Sequence, residues 1–133
     1  MNLEIGKYVR YTRSMINGNV AARIAKIVDC SDNELIKIDN GQCILREDII
    51  KARNKIIDLI QQDDLLEIRY LIKPDEYQEE ILQVIKSYDG KLYVNAFPKK
   101  IFIEEFNTYG IEILSIETKE QFKSEKYKVM NND

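Results

Sequence analysis

The sequence predicts a mainly β protein made of two tandem SH3-like small β-barrels, with short helical turns and a short C-terminal helix. Three observations lead to this prediction. Apolar positions recur at a constant offset of 57 residues, as from Ile24 to Ile81, which indicates an internal repeat. Runs rich in β-branched and aromatic residues alternate with turn signals. The chain has 133 residues, of which 44% are hydrophobic and 32% charged, so it is globular and has the size of one domain or two very small ones.

The repeat is carried by apolar positions that stay in phase without a gap. Residues 24–29 align with residues 81–86, and residues 8–11 align with residues 65–68. A module of this size would bury only roughly 60% of its unfolded surface and be marginal alone. We therefore expect the two modules to pack together, joined through the apolar segment at residues 56–60.

The predicted boundaries follow from the repeat. Residues 1–57 form the first SH3-like module, residues 58–117 form the second, and residues 118–133 form a capped short helix and a tail. Thr118 and Gln121 have the spacing of a capping box, which predicts the start of that helix.

In the first module, residues 7–13 and 21–28 predict two strands joined through the turn signal Asn17-Gly18-Asn19. A third strand spans residues 34–39, where Leu35, Ile36 and Ile38 leave open which face is buried. The dipeptide Asn40-Gly41 predicts a tight hairpin to a short strand at residues 43–45. A helical turn and a closing strand at residues 46–51 complete the order expected of a small five-stranded barrel.

The second module repeats this plan. The predicted elements are a strand at residues 64–73, an acidic loop at 75–80, a hairpin of strands 81–88 and 91–97, a strand at 101–103, a helical turn at 104–109 and a closing strand at 111–116. Pro74 ends the first of these strands because it cannot donate to a sheet. Asp89-Gly90 is a type I′ hairpin signal.

Composition and chemistry argue against an enzyme. The chain has no histidine, so the commonest general base near neutral pH is missing. The carboxylate pairs Asp63-Asp64, Glu79-Glu80 and Glu104-Glu105 are neighbours along predicted strands or turns, and strand neighbours point to opposite faces. Cys30 and Cys43 lack the spacing of a metal site and are expected to be reduced thiols, with a bridge between them near the predicted hairpin as the alternative. We predict a non-enzyme with no cofactor and no metal.

Charge is divided unevenly along the chain. Residues 1–57 hold ten Lys and Arg against seven Asp and Glu, a net +3, whereas residues 58–133 hold ten against sixteen, a net −6. This balance disfavours a general nucleic-acid coat, which would need a basic surface. No apolar run approaches the ~20 residues of a membrane span, and the N-terminus lacks a signal-peptide pattern. We therefore expect a soluble, cytoplasmic protein.

Candidate partner-binding residues combine aromatic and charged side chains, which are frequent at protein interfaces. The predicted binding residues are Tyr8, Arg10, Arg13, Arg23, Asp75, Glu76, Glu79, Glu80, Tyr88, Lys99 and Lys100. The alternative interpretation is that the tyrosines are core and rim residues of the barrels.

Several short segments carry a recognisable pattern: GKYVRYT at residues 6–12, IAKI at 24–27, EDIIK at 47–51 and IIDLI at 56–60. The ending LSIETKEQF at residues 114–122 is followed by YKV at 127–129. In these segments the chain resembles a family of small phage and prophage proteins of Firmicutes, over most of its length. The resemblance implies a setting in which small accessory proteins counter host defence, including as anti-CRISPR inhibitors.

These expectations lead to one functional hypothesis and two alternatives. The first is a phage-derived protein, acting in the cytoplasm of a bacterial host, that binds and inhibits a defence effector such as a CRISPR nuclease. The second is a small nucleic-acid-binding module, for which the candidate residues are Arg10, Arg13, Arg23, Tyr8 and Tyr11. The third is a structural or assembly protein of the phage particle.

Overall fold

The predicted mainly β class is confirmed in the computed structural model, which describes residues 2–14, 20–96, 99–118 and 126–129. Strands make up 55% of the structure and 3₁₀ turns make up 9%. All strand pairs are antiparallel. Within the described residues there is no α-helix, and the sheets do not close into a barrel. The chain divides into two compact units between Leu59 and Ile60.

The first unit is one five-stranded sheet with the strand order β4-β3-β2-β1-β5. Its elements are β1 (Tyr8–Ser14), β2 (Val20–Asp29), β3 (Leu35–Ile38), β4 (Cys43–Leu45), a 3₁₀ turn (Arg46–Asp48), β5 (Ile49–Arg53) and a second 3₁₀ turn (Ile56–Leu59). Ile36 and Ile38 are buried while Leu35 is exposed, which resolves the ambiguity of the third strand.

The core of the first unit lies on one face of this sheet. Val9 on β1 stands opposite Ala25 on β2 and Ala52 on β5, so three strands contribute to one apolar cluster. The cluster consists of Val9, Tyr11, Ala25, Ile27, Ile36, Ile38, Ile49 and Ala52. The 3₁₀ turn Ile56–Leu59 packs against β1 and β5, and Leu59 is buried.

Short polar side chains shape the turns of the first unit. The Asp32 carboxylate accepts hydrogen bonds from the backbone N–H groups of Glu34 and Leu35, at 2.8 and 3.1 Å. These bonds lower the pKa of Asp32 because they stabilise its charged form. In the predicted Asn40-Gly41 hairpin, Gly41 has a φ of 88°, a conformation that glycine adopts without strain.

The second unit contains two sheets, with strand orders β10-β9-β8 and β12-β11-β6-β7. Its elements are β6 (Leu65–Lys73), β7 (Glu76–Gln83), β8 (Ile85–Lys86), β9 (Leu92–Ala96), β10 (Lys99–Phe102), a 3₁₀ turn (Ile103–Glu105), β11 (Glu112–Glu117) and β12 (Tyr127–Lys128). Leu66, Ile68, Val84, Val94 and Ile116 are fully buried in this unit.

The predicted C-terminal helix falls on residues 119–125, which lie outside the described part of the chain. Thr118, its predicted cap, is buried. Tyr127 pairs with Ile116, and the N–H of Val129 donates to the carbonyl of Leu114 at 2.8 Å. The described end of the chain thus adds a short strand to the second unit. In the residues that the structure describes, no helix is long and apolar enough to cross a membrane.

Candidate binding cleft

The candidate site is a cleft of about 570 Å³ in the second unit. One wall is the β6–β7 hairpin, and the other is formed by the end of β9, by β10 and by the segment before β11. The lining residues are Tyr70, Leu71, Ile72, Gln78, Ala96, Lys99, Lys100, Ile101, Tyr109 and Ile111. We call this site the hairpin cleft.

The hairpin wall continues the apolar face of β6 beyond the core. Alternate residues of a strand face the same side, so Ile68 and Tyr70 follow one another along this face. Ile72 lies beyond them in the cleft, where the pairing of β6 with β7 shifts by one residue. Ile68 is fully buried whereas Ile72 is 46% exposed. The apolar side chains of β6 therefore continue from the buried core into the solvent-exposed cleft.

The opposite wall combines apolar side chains with two lysines, Lys99 and Lys100. Lys99 and Ile101 on β10 pair with Ala96 and Val94 on β9, and both of these β9 residues are buried. Tyr109, which is 56% exposed, extends the same wall. Exposed large apolar side chains gathered at one concave place are typical of interaction sites.

Carboxylates border the hairpin side of the cleft. Gln78 stands opposite Tyr70 and donates from its Nε2 to the Glu80 carboxylate at 2.7 Å. Partial burial, together with the negative charge of Glu80 and its hydrogen bond, raises the pKa of Tyr70. The Glu80 carboxylate thus lies beside the Tyr70 hydroxyl on the hairpin side of the cleft.

The outer face of the same hairpin is organised around Arg69. Its Nε donates to Glu112 Oε2 at 3.0 Å, and its Nη2 contacts the same oxygen. Its guanidinium lies 5.4 Å from the centre of the Tyr77 ring. Glu112 is the main reason that the pKa of Arg69 is raised. Glu79, the cross-strand neighbour of Arg69, belongs to this outer face and not to the cleft.

The structure brings six of the predicted binding residues into this region. Lys99 and Lys100 line the cleft, and the four acidic residues lie on the hairpin. The four are Asp75, Glu76, Glu79 and Glu80. Asp75 takes a φ of 65° in the turn, a conformation that Asp tolerates better than most residues. Tyr88 lies elsewhere, fully exposed in the turn between β8 and β9.

The remaining predicted residues belong to the first unit, and Arg10 requires a correction. Its side chain is only 1% exposed, and its Nη1 donates to the carbonyl of Leu59 at 3.1 Å. A buried guanidinium cannot form a contact surface, so we remove Arg10 from the binding set. Tyr8 and Arg23 are half-buried, and the side chain of Arg13 lies outside the described residues.

The alternative nucleic-acid site of the first unit loses two of its members for the same reason. Arg10 and Tyr11 are both buried. Tyr8 is partly covered by Lys26, whose ammonium lies 5.5 Å from the ring centre.

Sequence reasoning missed the apolar part of the hairpin cleft. Leu71 and Ile72 interrupt the alternation of β6 just before Pro74, and two adjacent apolar residues at a strand end were a usable signal. The contributions of Ile101, Tyr109 and Ile111 were not visible, because these residues meet the hairpin only after folding.

The first unit has a smaller cleft along its edge strand. It measures about 530 Å³ and is lined by Tyr11, Thr12, Gln42, Cys43, Ile44, Leu45 and Asp48. Cys43 is an exposed free thiol and Cys30 a partly buried one. Across the described ranges, no three metal-ligating side chains are grouped so that they could hold an ion.

No protein-family model matches the chain, and neither a curated protein nor a solved structure is significantly similar to it.

Proposed function

We propose that this chain is a non-enzymatic accessory protein of a phage or prophage, which binds a defence protein of its bacterial host and inhibits it by covering a working surface. The observation that carries the proposal is the hairpin cleft, where Leu71, Ile72 and Tyr109 are all about half exposed. Apolar side chains at such a place are stabilised when a partner covers them. The host cytoplasm is the proposed location.

The charges around the cleft indicate the kind of partner. Asp75 and Glu76 lie at the tip of the hairpin, and Glu80 lies on the cleft side of β7. A partner surface with an apolar side chain surrounded by basic groups complements this arrangement. The wall of a nucleic-acid channel has this character, because it must neutralise phosphates. A CRISPR nuclease is one effector with such a channel.

The proposal includes the repeat of one SH3-like fold, which the spacing of the elements and one feature of the strand pairing support. The 3₁₀ turns Arg46–Asp48 and Ile103–Glu105 are 57 residues apart, as are the first residues of β1 and β6. The first strand of each unit also pairs with the closing strand through a bulge that skips one residue. The skipped residues are Ile50 in the first unit and Leu114 in the second.

The test has a binding step and an inhibition step. The tagged chain is incubated with host lysate at low and high salt, retained proteins are identified, and each is assayed for activity with and without the purified chain. We expect a retained defence protein whose activity falls as the chain is added, with weaker retention at high salt because the contacts are partly ionic.

A pair of isoleucine variants distinguishes binding at the cleft from nonspecific hydrophobic binding. Ile72→Asp places a charge in the cleft, whereas Ile81→Asp changes an isoleucine that is 59% exposed on the outer face of the same hairpin. We expect Ile72→Asp to abolish retention and inhibition and Ile81→Asp to preserve both. Equal behaviour of the two variants, or retention without any loss of the captured protein's activity, would contradict the proposal.

A further inference from the structure

The strands β9 and β10 carry a second distinctive surface, on the face directed away from the core. Tyr93 and Phe102 are direct cross-strand partners. Their ring centres are 5.9 Å apart and the ring planes meet at 62°. Both side chains are partly exposed. Val94 and Ile101, the pair next to them, point to the other side, where Val94 is fully buried.

Two lysines lie over these rings. The Lys100 ammonium is 4.2 Å from the centre of the Tyr93 ring and 5.4 Å from that of Phe102. The Lys91 ammonium is 5.8 Å from the centre of Phe102. We call these four residues the aromatic face. Cation–π contacts at exposed sites are weak, so the ammonium groups can move aside when a stronger anionic partner arrives.

Three carboxylates, those of Glu104, Asp89 and Glu105, act on Lys91 and raise its pKa. Glu104 is paired with Lys91 at 3.2 Å, and this carboxylate also raises the pKa of Lys91. Both side chains of the pair are more than half exposed, so salt and competing anions reach them. Lys100 adds a second positive charge beside the rings.

We propose that the aromatic face binds single-stranded nucleic acid, with bases stacked on Tyr93 and Phe102 and phosphates held by Lys91 and Lys100. Aromatic rings on a sheet surface, flanked by cations, fit a strand whose bases are unpaired and whose backbone is anionic. An acidic protein segment would use the lysines but gain little from the exposed faces of the rings. A duplex keeps its base faces stacked and cannot offer them. The inference goes beyond the proposed function, because Tyr93, Phe102 and Lys91 do not line the hairpin cleft, and only Lys100 borders both surfaces.

The experiment uses the full chain and fluorescein-labelled 15-nucleotide oligothymidylate and oligouridylate in about 50 mM salt. Fluorescence anisotropy measures the dissociation constant. We expect Phe102→Leu and Tyr93→Leu each to weaken binding by at least about fivefold, because each removes one stacking platform. Tyr88→Leu, which removes an exposed tyrosine from a turn outside the face, should leave binding unchanged.

A second pair of variants tests the phosphate contacts. Lys100→Gln should weaken binding and reduce the dependence of affinity on salt. Lys86→Gln is its control, since Lys86 pairs with Leu92 and faces away from Tyr93. The chain has no tryptophan, so Phe102→Trp introduces a single reporter. Stacking of a base on that ring should quench its fluorescence as oligonucleotide is added.

Circular dichroism establishes that each variant is folded. If Phe102→Leu does not fold, Phe102→Trp still tests stacking, because it retains an aromatic ring at this position. The inference is overturned if wild type shows no binding in about 50 mM salt, or if the ring variants bind as wild type does. It is also overturned if poly-glutamate binds as tightly as the oligonucleotides and with the same dependence on the lysines alone. That last result would identify an acidic protein segment as the occupant.

Discussion

Arg10 offers the most direct test of the fold, because removing its side chain should weaken the first unit. The proposed change is Arg10→Met, which keeps most of the apolar volume while removing the guanidinium. The carbonyl of Leu59, a fully buried residue, then loses the donor that lies 3.1 Å away. A buried acceptor left without its partner costs about 1–3 kcal/mol. A loss of about 2 kcal/mol corresponds to a decrease in Tm of roughly 6–10 °C for a chain of this length.

The assay is guanidinium unfolding followed by circular dichroism, with a thermal scan beside it. Arg53→Met is the matched control, because Arg53 is an exposed arginine of the same sheet. Its Nη1 donates to the carbonyl of the neighbouring Ala52 at 2.7 Å. Its effect should stay within about 0.5 kcal/mol. If Arg10→Met unfolded at the wild-type midpoint, the structural role of this guanidinium would be refuted.

Three further outcomes follow from the second unit and from the turns. Ile68→Ala should lower the free energy of unfolding by about 2–4 kcal/mol, whereas Leu71→Ala, at a side chain that is 53% exposed, should change it by less than about 0.5 kcal/mol; urea unfolding that gave equal losses would contradict the assigned burial. Glu112→Gln should have a smaller effect than Ile68→Ala, because the side chains of Arg69 and Glu112 are 40% and 38% exposed, and the effect should disappear in about 1 M salt. The folded-state pKa of Asp32 is lowered from 3.8, so its stabilisation is present above that value and is lost as the pH falls through the folded pKa. Unfolding measured between neutral and strongly acidic pH should therefore show a weaker pH dependence in Asp32→Ala than in wild type, and identical slopes would argue against the turn hydrogen bonds.

The class of fold was accessible from the sequence because its signals are local. Asn40-Gly41 sits in the turn between β3 and β4, and Asp89-Gly90 in the turn between β8 and β9. These dipeptides act through their own backbone preferences and need no distant partner. Mainly β structure with antiparallel hairpins follows from such signals.

The strand registers were less accessible, as a comparison of β3 with β9 shows. A gapless offset aligns Leu35 with Leu92. The structure pairs Leu35 with Leu45, but Phe102, the offset counterpart of Leu45, pairs with Tyr93. A change of one residue exchanges the two faces of a strand. That change places Tyr93 on the solvent side, so the aromatic face could not be read from the repeat.

Arg10 shows the limit imposed by contacts between distant residues. Val9 and Tyr11 are buried on one side of β1, and alternation predicts that the residue between them points to solvent. The 3₁₀ turn Ile56–Leu59 covers that other side, although Leu59 is 49 residues away from Arg10 along the chain. No local sequence pattern indicates this covering turn, so the sequence predicts a contact residue at a position where the structure has a buried arginine.

The position of β7 has a consequence for the colloidal behaviour of the protein. β7 is the last strand of its sheet and is eight residues long, which makes it a template on which another chain could add. Its charged side chains, Glu76, Glu79 and Glu80, repel the same strand of a second molecule and so disfavour edge-to-edge aggregation of the sheets. Neutralising these carboxylates would remove the repulsion between two such strands and favour fibrous aggregates.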